Sequence, residues 1–167
     1  FNRIEGSPRG DYFAGSNLAP YFAHHGWAQA HAIAAVAAET PELFASAREV
    51  WDLGAGPGPL SLAASAFLPG ARFTLTDLRA EALAFAAQAL RTAGVEARTE
   101  RLRLPDLPEG RPDLVVLGHA LNELPPRDQE RLLATVKERL APGGALVVLE
   151  PALPEPTRRL MELRAAF

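Results

Sequence analysis

The segment Asp52-Leu53-Gly54-Ala55-Gly56-Pro57-Gly58 constrains the fold of this chain more than any other. Val50, Trp51 and Leu53 form a strand-like run around its start, and Leu60 to Phe67 reads as a helix after it, so the glycines fall in a strand-to-helix turn. Glycines at alternate positions let the backbone turn tightly and approach a ligand without side-chain interference, and the start of the next helix offers unpaired N–H groups. Such a loop suits a nucleoside-containing ligand. Asp77, 25 residues beyond Asp52, ends the next strand-like run, where a carboxylate can accept hydrogen bonds from both hydroxyls of a ribose. Standing ahead of Leu78 and Arg79, it can instead cap a helix.

Around this loop the sequence alternates strand-like and helix-like blocks. Strands are predicted over Glu49 to Leu53, Arg72 to Thr76, Glu96 to Leu102, Asp113 to Leu117 and Ala145 to Glu150. Helices are predicted over Leu60 to Phe67, over Arg79 to Ala93 closed by Gly94, over Arg127 to Leu140 ahead of Pro142, Gly143 and Gly144, and over Pro156 to Ala166. With right-handed crossovers this order gives an α/β fold: a doubly wound, mainly parallel sheet with helices on both faces and a ligand crevice at the carboxyl ends of the strands. Ahead of it, Phe1 to Ala19 reads as an irregular arm. A helix is predicted within Tyr21 to Glu39, starting after Gly26, with Ala30, Ile33, Ala34 and Ala37 on one face. Thr40 before Pro41 has the form of an N-cap, predicting a short helix to Ala47. The expected organisation is one domain: an arm with two helices over residues 1–47 and a core over residues 48–167.

Composition narrows the function. At 167 residues and 48% hydrophobic, the chain is long enough for one packed core. Its 17 Lys plus Arg against 20 Asp plus Glu leave a net charge of -3, which excludes a uniformly basic nucleic-acid binder. No uninterrupted apolar run reaches the length of a membrane-spanning helix, so no membrane partner is expected. With no cysteine, neither a disulfide nor a thiolate metal site is possible inside the chain, which weakly favours a cytoplasmic home. The chain begins at Phe1 with no leader-like pattern, and is expected to be trimmed or fragmentary. His24, His25 and His31 do not have metal-ligand spacing, because adjacent helical residues point about 100° apart and no carboxylate is placed to complete a site; no metal is expected. Tyr21, Phe22 and Trp27 are expected to pack their helix over the crevice or onto the sheet, and Trp51 to lie in the core.

Two cofactor classes share a glycine loop followed by an acid. A dinucleotide-binding Gly-x-Gly-x-x-Gly would put Pro59 or Ser61 at its last position, which argues against a nicotinamide-dependent oxidoreductase. The acidic-x-Gly-x-Gly-x-Gly order of Asp52 to Gly58, together with Leu140-Ala141-Pro142-Gly143-Gly144 ahead of the apolar run Ala145 to Leu149, resembles the class I S-adenosylmethionine-dependent methyltransferases. The resemblance implies a Rossmann-like methyltransferase sheet, S-adenosylmethionine as cofactor, and Asp52 near the methionine amino group. The cofactor-binding set it implies is Asp52, Gly54, Ala55, Gly56, Pro57, Gly58, Asp77, Leu78, Glu100, Arg101 and Gly118. Glu100 and Arg101 stand for the adenine-contacting position after the third strand, although the family's acidic-small pair is missing there. Gly118-His119-Ala120-Leu121-Asn122-Glu123-Leu124-Pro125 occupies the edge that in this family faces the methyl group and the acceptor. The catalytic candidates are therefore His119, Asn122 and Glu123. His119 can act as a general base, its unperturbed pKa lying near neutrality, or can line the pocket. Asn122 and Glu123 can orient a substrate or cap the helix after Pro125 and Pro126. The Asn/Asp-Pro-Pro-aromatic signature of base-amino methylation is absent, as is a cysteine for covalent carbon methylation.

A narrower resemblance joins Tyr12 to Glu39, the glycine loop, Leu121-Asn122-Glu123-Leu124-Pro125, and Leu149-Glu150-Pro151 with Arg158 to Arg164. Together they are similar to the mitochondrial small-ribosomal-subunit methyltransferase-like family and its bacterial relatives. It implies the small ribosomal subunit or its RNA as partner, reached through Arg98, Arg101 and Arg103 or through Arg158, Arg159 and Arg164; these arginines can equally be solvated surface. A small-molecule acceptor, or a non-catalytic ribosome-assembly protein with the same fold, stands as the alternative. Class I sheets close with an antiparallel sixth and seventh strand, and this chain is expected to lack them.

Overall fold

A computed structural model describes residues 18–167. The arm expected over the first residues therefore lies outside the described residues, apart from Leu18 and Ala19. Those two belong to helix α1 (Leu18–Glu39), which runs unbroken through Gly26. The sequence predicts a start only after that glycine. Instead Gly26 is a packing position: a Cβ there would stand 3.6 Å from the Pro59 side chain. Helix α2 (Pro41–Ser46) follows with Pro41 at its start. Thr40 does not cap it; its hydroxyl donates back to the Val36 carbonyl of α1 at 2.8 Å.

The core alternates as expected: β1 (Glu49–Leu53), α3 (Pro59–Ser65), β2 (Arg72–Asp77), α4 (Ala80–Thr92), β3 (Ala97–Arg101), β4 (Leu114–Gly118), α5 (Pro126–Arg139), β5 (Ala145–Leu149) and α6 (Pro154–Ala166). A 3-10 turn, Leu121–Glu123, lies between β4 and α5. All neighbouring strands are parallel, in the order β3-β2-β1-β4-β5, and among the described residues the sheet has no further strand. Strand order reverses direction at β1, so the gap between the ends of β1 and β4 is the topological switch point where such sheets bind ligands.

Alternation along the strands divides the core into two layers. Val50, Phe73, Leu75, Leu114 and Val116 face α1 to α4, where Ile33, Phe44, Leu60, Leu83 and Leu90 cover them. Trp51, Leu53, Val115 and Leu117 face α5 and α6, against Leu132, Val136 and Leu163. Each such fully buried side chain contributes about 1.5–3 kcal/mol. Strand β4 is an unbroken apolar run because it is central and covered on both faces, whereas β3 reads Ala-Arg-Thr-Glu-Arg because it is an exposed edge. Trp51 is core, as its place in β1 implied. Trp27 is not: it is 75% exposed, on the outer side of α1.

Candidate active site

The glycine loop is held at the carboxyl end of β1 by its neighbours. Ala55 N–H donates to the Thr76 carbonyl at 2.8 Å, and Gly58 N–H donates to the Ala55 carbonyl at 2.9 Å. Gly54, Gly56 and Gly58 have φ of 72°, 55° and 80°. At Gly54 a Cβ would come within 2.6 Å of the Ala120 side chain, and at Gly58 within 2.8 Å of that of Ala86. The loop thus passes in contact with the β4 turn on one side and α4 on the other, and only glycine permits both the backbone and the approach. Ala55, Pro57 and Pro59 are buried against it.

Asp77 locks this loop to β2. Its Oδ2 accepts the Gly56 N–H at 2.9 Å and its Oδ1 accepts the Arg79 N–H at 2.8 Å. The cap position of α4 is Arg79, so Asp77 forms a turn two residues ahead of the helix instead of capping it. Each carboxylate oxygen keeps a further lone pair for a hydroxyl donor. Leu78, 45% exposed, follows directly, and Arg101 Nε donates to its carbonyl at 2.9 Å. Arg101 pairs with Asp77 in the sheet, and Glu100 makes an ion pair with Arg98 at 3.3 Å. Glu100 and Arg101 thus lie inside β3, at its end beside Asp77, rather than after the strand, with Arg101 engaged in fixing Leu78.

Asp52 is 1% exposed. Its Oδ2 accepts the Ser61 hydroxyl at 2.6 Å, while Oδ1 is buried with no hydrogen-bond partner. Burial raises its pKa to about 7, opposed by the Ser61 hydrogen bond and reinforced by the negative charge of Asp77. A buried carboxylate oxygen without a donor, behind a glycine cradle and beside a strand-end acid, is a fit for a cofactor carrying a ribose and a cationic group. Ser61 escaped the sequence reading except as a failed dinucleotide position; its place one turn into α3 was the available signal.

At the end of β4, Gly118 is packed so closely that a Cβ would stand 2.9 Å from Leu60 and 3.1 Å from the Gln29 amide nitrogen. His119 follows with φ 59°, the one non-glycine residue at positive φ among those described. A backbone of this kind is costly for a side chain of this size and is characteristic of functional turns. Its N–H donates to the Leu149 carbonyl at 2.8 Å. Half-buried, the His119 imidazole has its pKa lowered by burial, so it is neutral at pH 7. The His25 ring of α1 stands over it edge to face, with centroids 5.6 Å apart, and Tyr21 lies 4.1 Å from His25. The His25 pKa is lowered by burial, then by His119 and His24. Burial raises the Tyr21 pKa, and the charges of Glu123 and Asp77 raise it further, which puts this phenol between the ends of β2 and β4. Helix α1 therefore covers the crevice with Tyr21 and His25, and Phe22 reaches Phe85 of α4 at 5.5 Å.

Asn122 and Glu123 stand on the same edge in the 3-10 turn. Neither caps α5: its first turn is held by the Pro125 carbonyl, which accepts N–H groups from Asp128 and Gln129. Instead Asn122 donates its backbone N–H, at 3.1 Å, and its side-chain amide to the Glu150 carboxylate. Glu150 is the residue sequence reasoning missed. Its composition reads as the end of the last strand, but it leaves β5 and ties the β4 turn to the β5 end; burial raises its pKa, with the Asn122 hydrogen bonds opposing. Among the described residues no three His, Cys, Asp or Glu side chains are grouped to hold a metal, and no helix is long and apolar enough to cross a membrane.

Residues 50–144 match the model of a methyltransferase domain family. The chain is 34% identical over 106 residues to demethylmenaquinone methyltransferase of Thermus thermophilus, a match covering 62% of this chain and 47% of that one. It is 35% identical over 109 residues to carboxy-S-adenosyl-L-methionine synthase of Chromohalobacter salexigens, covering 60% and 39%. The chain thus spans less than half the length of these curated relatives. Among solved structures, an O-methyltransferase family protein from Burkholderia thailandensis superposes with TM-score 0.67 at 20% identity, covering 88% of this chain and 48% of that one. The S-adenosylmethionine-bound amino pentose methyltransferase CalS10 from Micromonospora echinaspora superposes with TM-score 0.59 at 25% identity, covering 82% and 58%. The chain belongs to the methyltransferase domain family, with the Rossmann-like fold of class I enzymes whose cofactor is S-adenosylmethionine.

Proposed function

We propose that this chain binds S-adenosylmethionine between Asp52, the 54–58 loop, Asp77 and Gly118, and directs its methyl group to a small-molecule acceptor at the edge formed by His119. The observation that carries the reading is the Asp77 carboxylate, fixed to Gly56 N–H at the carboxyl end of β2 and half-exposed toward the crevice. Two acceptor oxygens in that position suit vicinal ribose hydroxyls. Leu78, pinned by Arg101, offers an apolar surface for the adenine beside them. When bound, the cofactor supplies an electrophilic methyl group on a sulfonium. The chain then has to orient the acceptor, exclude water and take up the acceptor's proton. A neutral His119 imidazole suits the last task, and Tyr21 and His25 of α1 suit the second. Asn122, held by Glu150, positions this edge.

Relatives named for demethylmenaquinone and for an amino pentose support an acceptor of small-molecule class. A ribosomal acceptor draws less support, because several of the arginines that would reach RNA are already engaged. Arg98 is bonded to Thr74, Glu100 and the Glu109 carbonyl, and Arg159 to Gln129, Glu130 and Glu162. Calorimetry with S-adenosylmethionine, S-adenosylhomocysteine and NAD tests the reading. The expected result is binding of both adenosyl ligands, weakened at least about 10-fold by Asp77→Ala through loss of charge-assisted hydrogen bonds, and no binding of NAD. Unchanged affinity in Asp77→Ala, or preference for NAD, refutes it.

A further inference from the structure

Helix α1 carries Tyr21, His25, Gln29, Ile33 and Ala37 one turn apart, a single stripe at i, i+4 spacing. Ile33 and Ala37 are buried in the core, which fixes the direction of the stripe. One turn earlier, Gln29 packs against Gly118, where a Cβ would stand 3.1 Å from its amide nitrogen. One turn earlier again, the His25 ring meets His119, the next residue of the β4 end, edge to face with centroids 5.6 Å apart. Gly118 lies on the α1 side of the sheet, so a strand continuing through residue 119 would send that side chain to the opposite face, with Leu117. The left-handed backbone of His119, at φ 59°, turns it back toward α1.

A histidine that takes up a proton needs a further group to hold its ring, and a carboxylate in that place also strengthens the base. Among the described residues neither ring nitrogen of His119 makes a hydrogen bond, and the contact with His25 is the one directional contact of its imidazole. His25 is itself backed by Tyr21, with centroids 4.1 Å apart, and flanked by His24 at 5.0 Å. Resting on the reading of His119 as the group that takes the acceptor's proton, we propose that His25 is a positioning residue: its ring holds the His119 imidazole in one orientation at the crevice edge and leaves both nitrogens open. A neutral ring orients without adding negative charge, so the base is not strengthened as a carboxylate would strengthen it. Burial alone lowers the His119 pKa, while that of His25 is lowered by burial and then by His119 and His24. The first proton taken up by the pair therefore resides on His119, and its charge opposes a second on His25. The other charged groups of this edge act elsewhere: Glu123, Asp77 and Arg79 on Tyr21, and Glu123 on Glu150.

The test is an NMR titration of the ligand-free chain, whose four histidines give ring-proton signals that single replacements by glutamine assign. In the wild type, His119 is expected to take up its proton at higher pH than His25. His25→Phe keeps a ring in place without a titrating group, and His119 is expected to titrate there as in the wild type. His25→Ala removes the ring and admits water, and the His119 pKa is expected to rise toward the ordinary imidazole value of about 6.5. A residue that only packs would lower the melting temperature of His25→Ala and leave the His119 titration where it was, and that result overturns the assignment. So does a Phe variant that titrates like the Ala variant, or a wild type in which His25 protonates first. The wild-type order decides the matter even where His25→Ala fails to fold. Absence of S-adenosylmethionine binding refutes the cofactor reading, and with it any use of the pair in methyl transfer, while the titrations stand. A reversed order of protonation refutes this inference with the cofactor reading intact.

Discussion

Replacing Asp52 by asparagine removes a proton-binding site that the fold has built into the floor of the crevice. Asp52 is raised from 3.8 to about 7 by burial. The native state therefore holds its proton more tightly than the unfolded chain does. The stability this provides is fully present below the unfolded pKa, near 4, and is lost as pH rises through about 7, since between those values the native state binds more protons than the unfolded one. At about 1.4 kcal/mol per pKa unit, the whole excursion is about 4 kcal/mol at most. The asparagine side chain has the same shape, can still accept the Ser61 hydroxyl, and does not titrate. Urea unfolding of both proteins from pH 4 to 8 should show the wild type losing stability relative to Asp52→Asn across that window, then running parallel above it. An ammonium bound beside Oδ1 favours the ionised form, so binding of S-adenosylhomocysteine near pH 6.5 should release more than about half a proton, and binding of 5′-methylthioadenosine, which has no ammonium, almost none. The release is read from the dependence of the calorimetric enthalpy on buffer ionisation enthalpy. A stability difference that is flat with pH, or that grows with pH, refutes the argument that Asp52 is held protonated by burial.

Two further results follow from the loops. Gly58→Ala should cost about 2–4 kcal/mol, combining the left-handed backbone penalty with overpacking against Ala86, whereas Gly94→Ala, at φ 73° with nothing within 4 Å, should cost only the backbone part, about 1–2 kcal/mol. Thermal unfolding separates them, and equal costs would mean that the Ala86 contact is not tight. His119→Gly relieves a positive φ and should change stability by less than about 1 kcal/mol while lowering kcat by about 10²- to 10⁴-fold; loss of stability with kcat intact would remove His119 from the chemistry.

The parts of this molecule that follow from local pattern were readable in the sequence, and the parts set by packing between distant segments were not. Glu49 to Leu53 and the helix closed by Gly94 were legible because an apolar run and a glycine stop act on their own neighbourhood. The 54–58 loop and Asp77 were legible because a cradle and a strand-end acid have fixed spacing. Thr40 misled because the same hydroxyl can bond back into the helix before it as well as cap the one after it, and here it joins its own N–H on the Val36 carbonyl of α1. Gly26 misled for a related reason. Its penalty as a helix breaker, about 1 kcal/mol, is small against the packing of α1 on α3 that its missing side chain allows. Trp27 misled because aromatic residues are buried on average, while its direction is set by which side of α1 meets the sheet. Glu150 reads as strand because composition gives strand ends only to within a residue or two.

The crevice-facing residues outside the glycine loop and the strand-end motifs share a location. Tyr21, His25 and Gln29 all come from α1, and each is directed at the carboxyl end of β2 or β4. The 50–144 segment supplies the loop, acid and strand-end turn to which the proposed reading assigns the cofactor, whatever the acceptor. The α1 side chains lie between that machinery and the solvent, so the chemistry of the acceptor must be matched mainly by them and by the His119 edge. An acceptor able to surrender a proton to a neutral imidazole, and small enough to enter beneath a phenol and a second imidazole, meets those conditions.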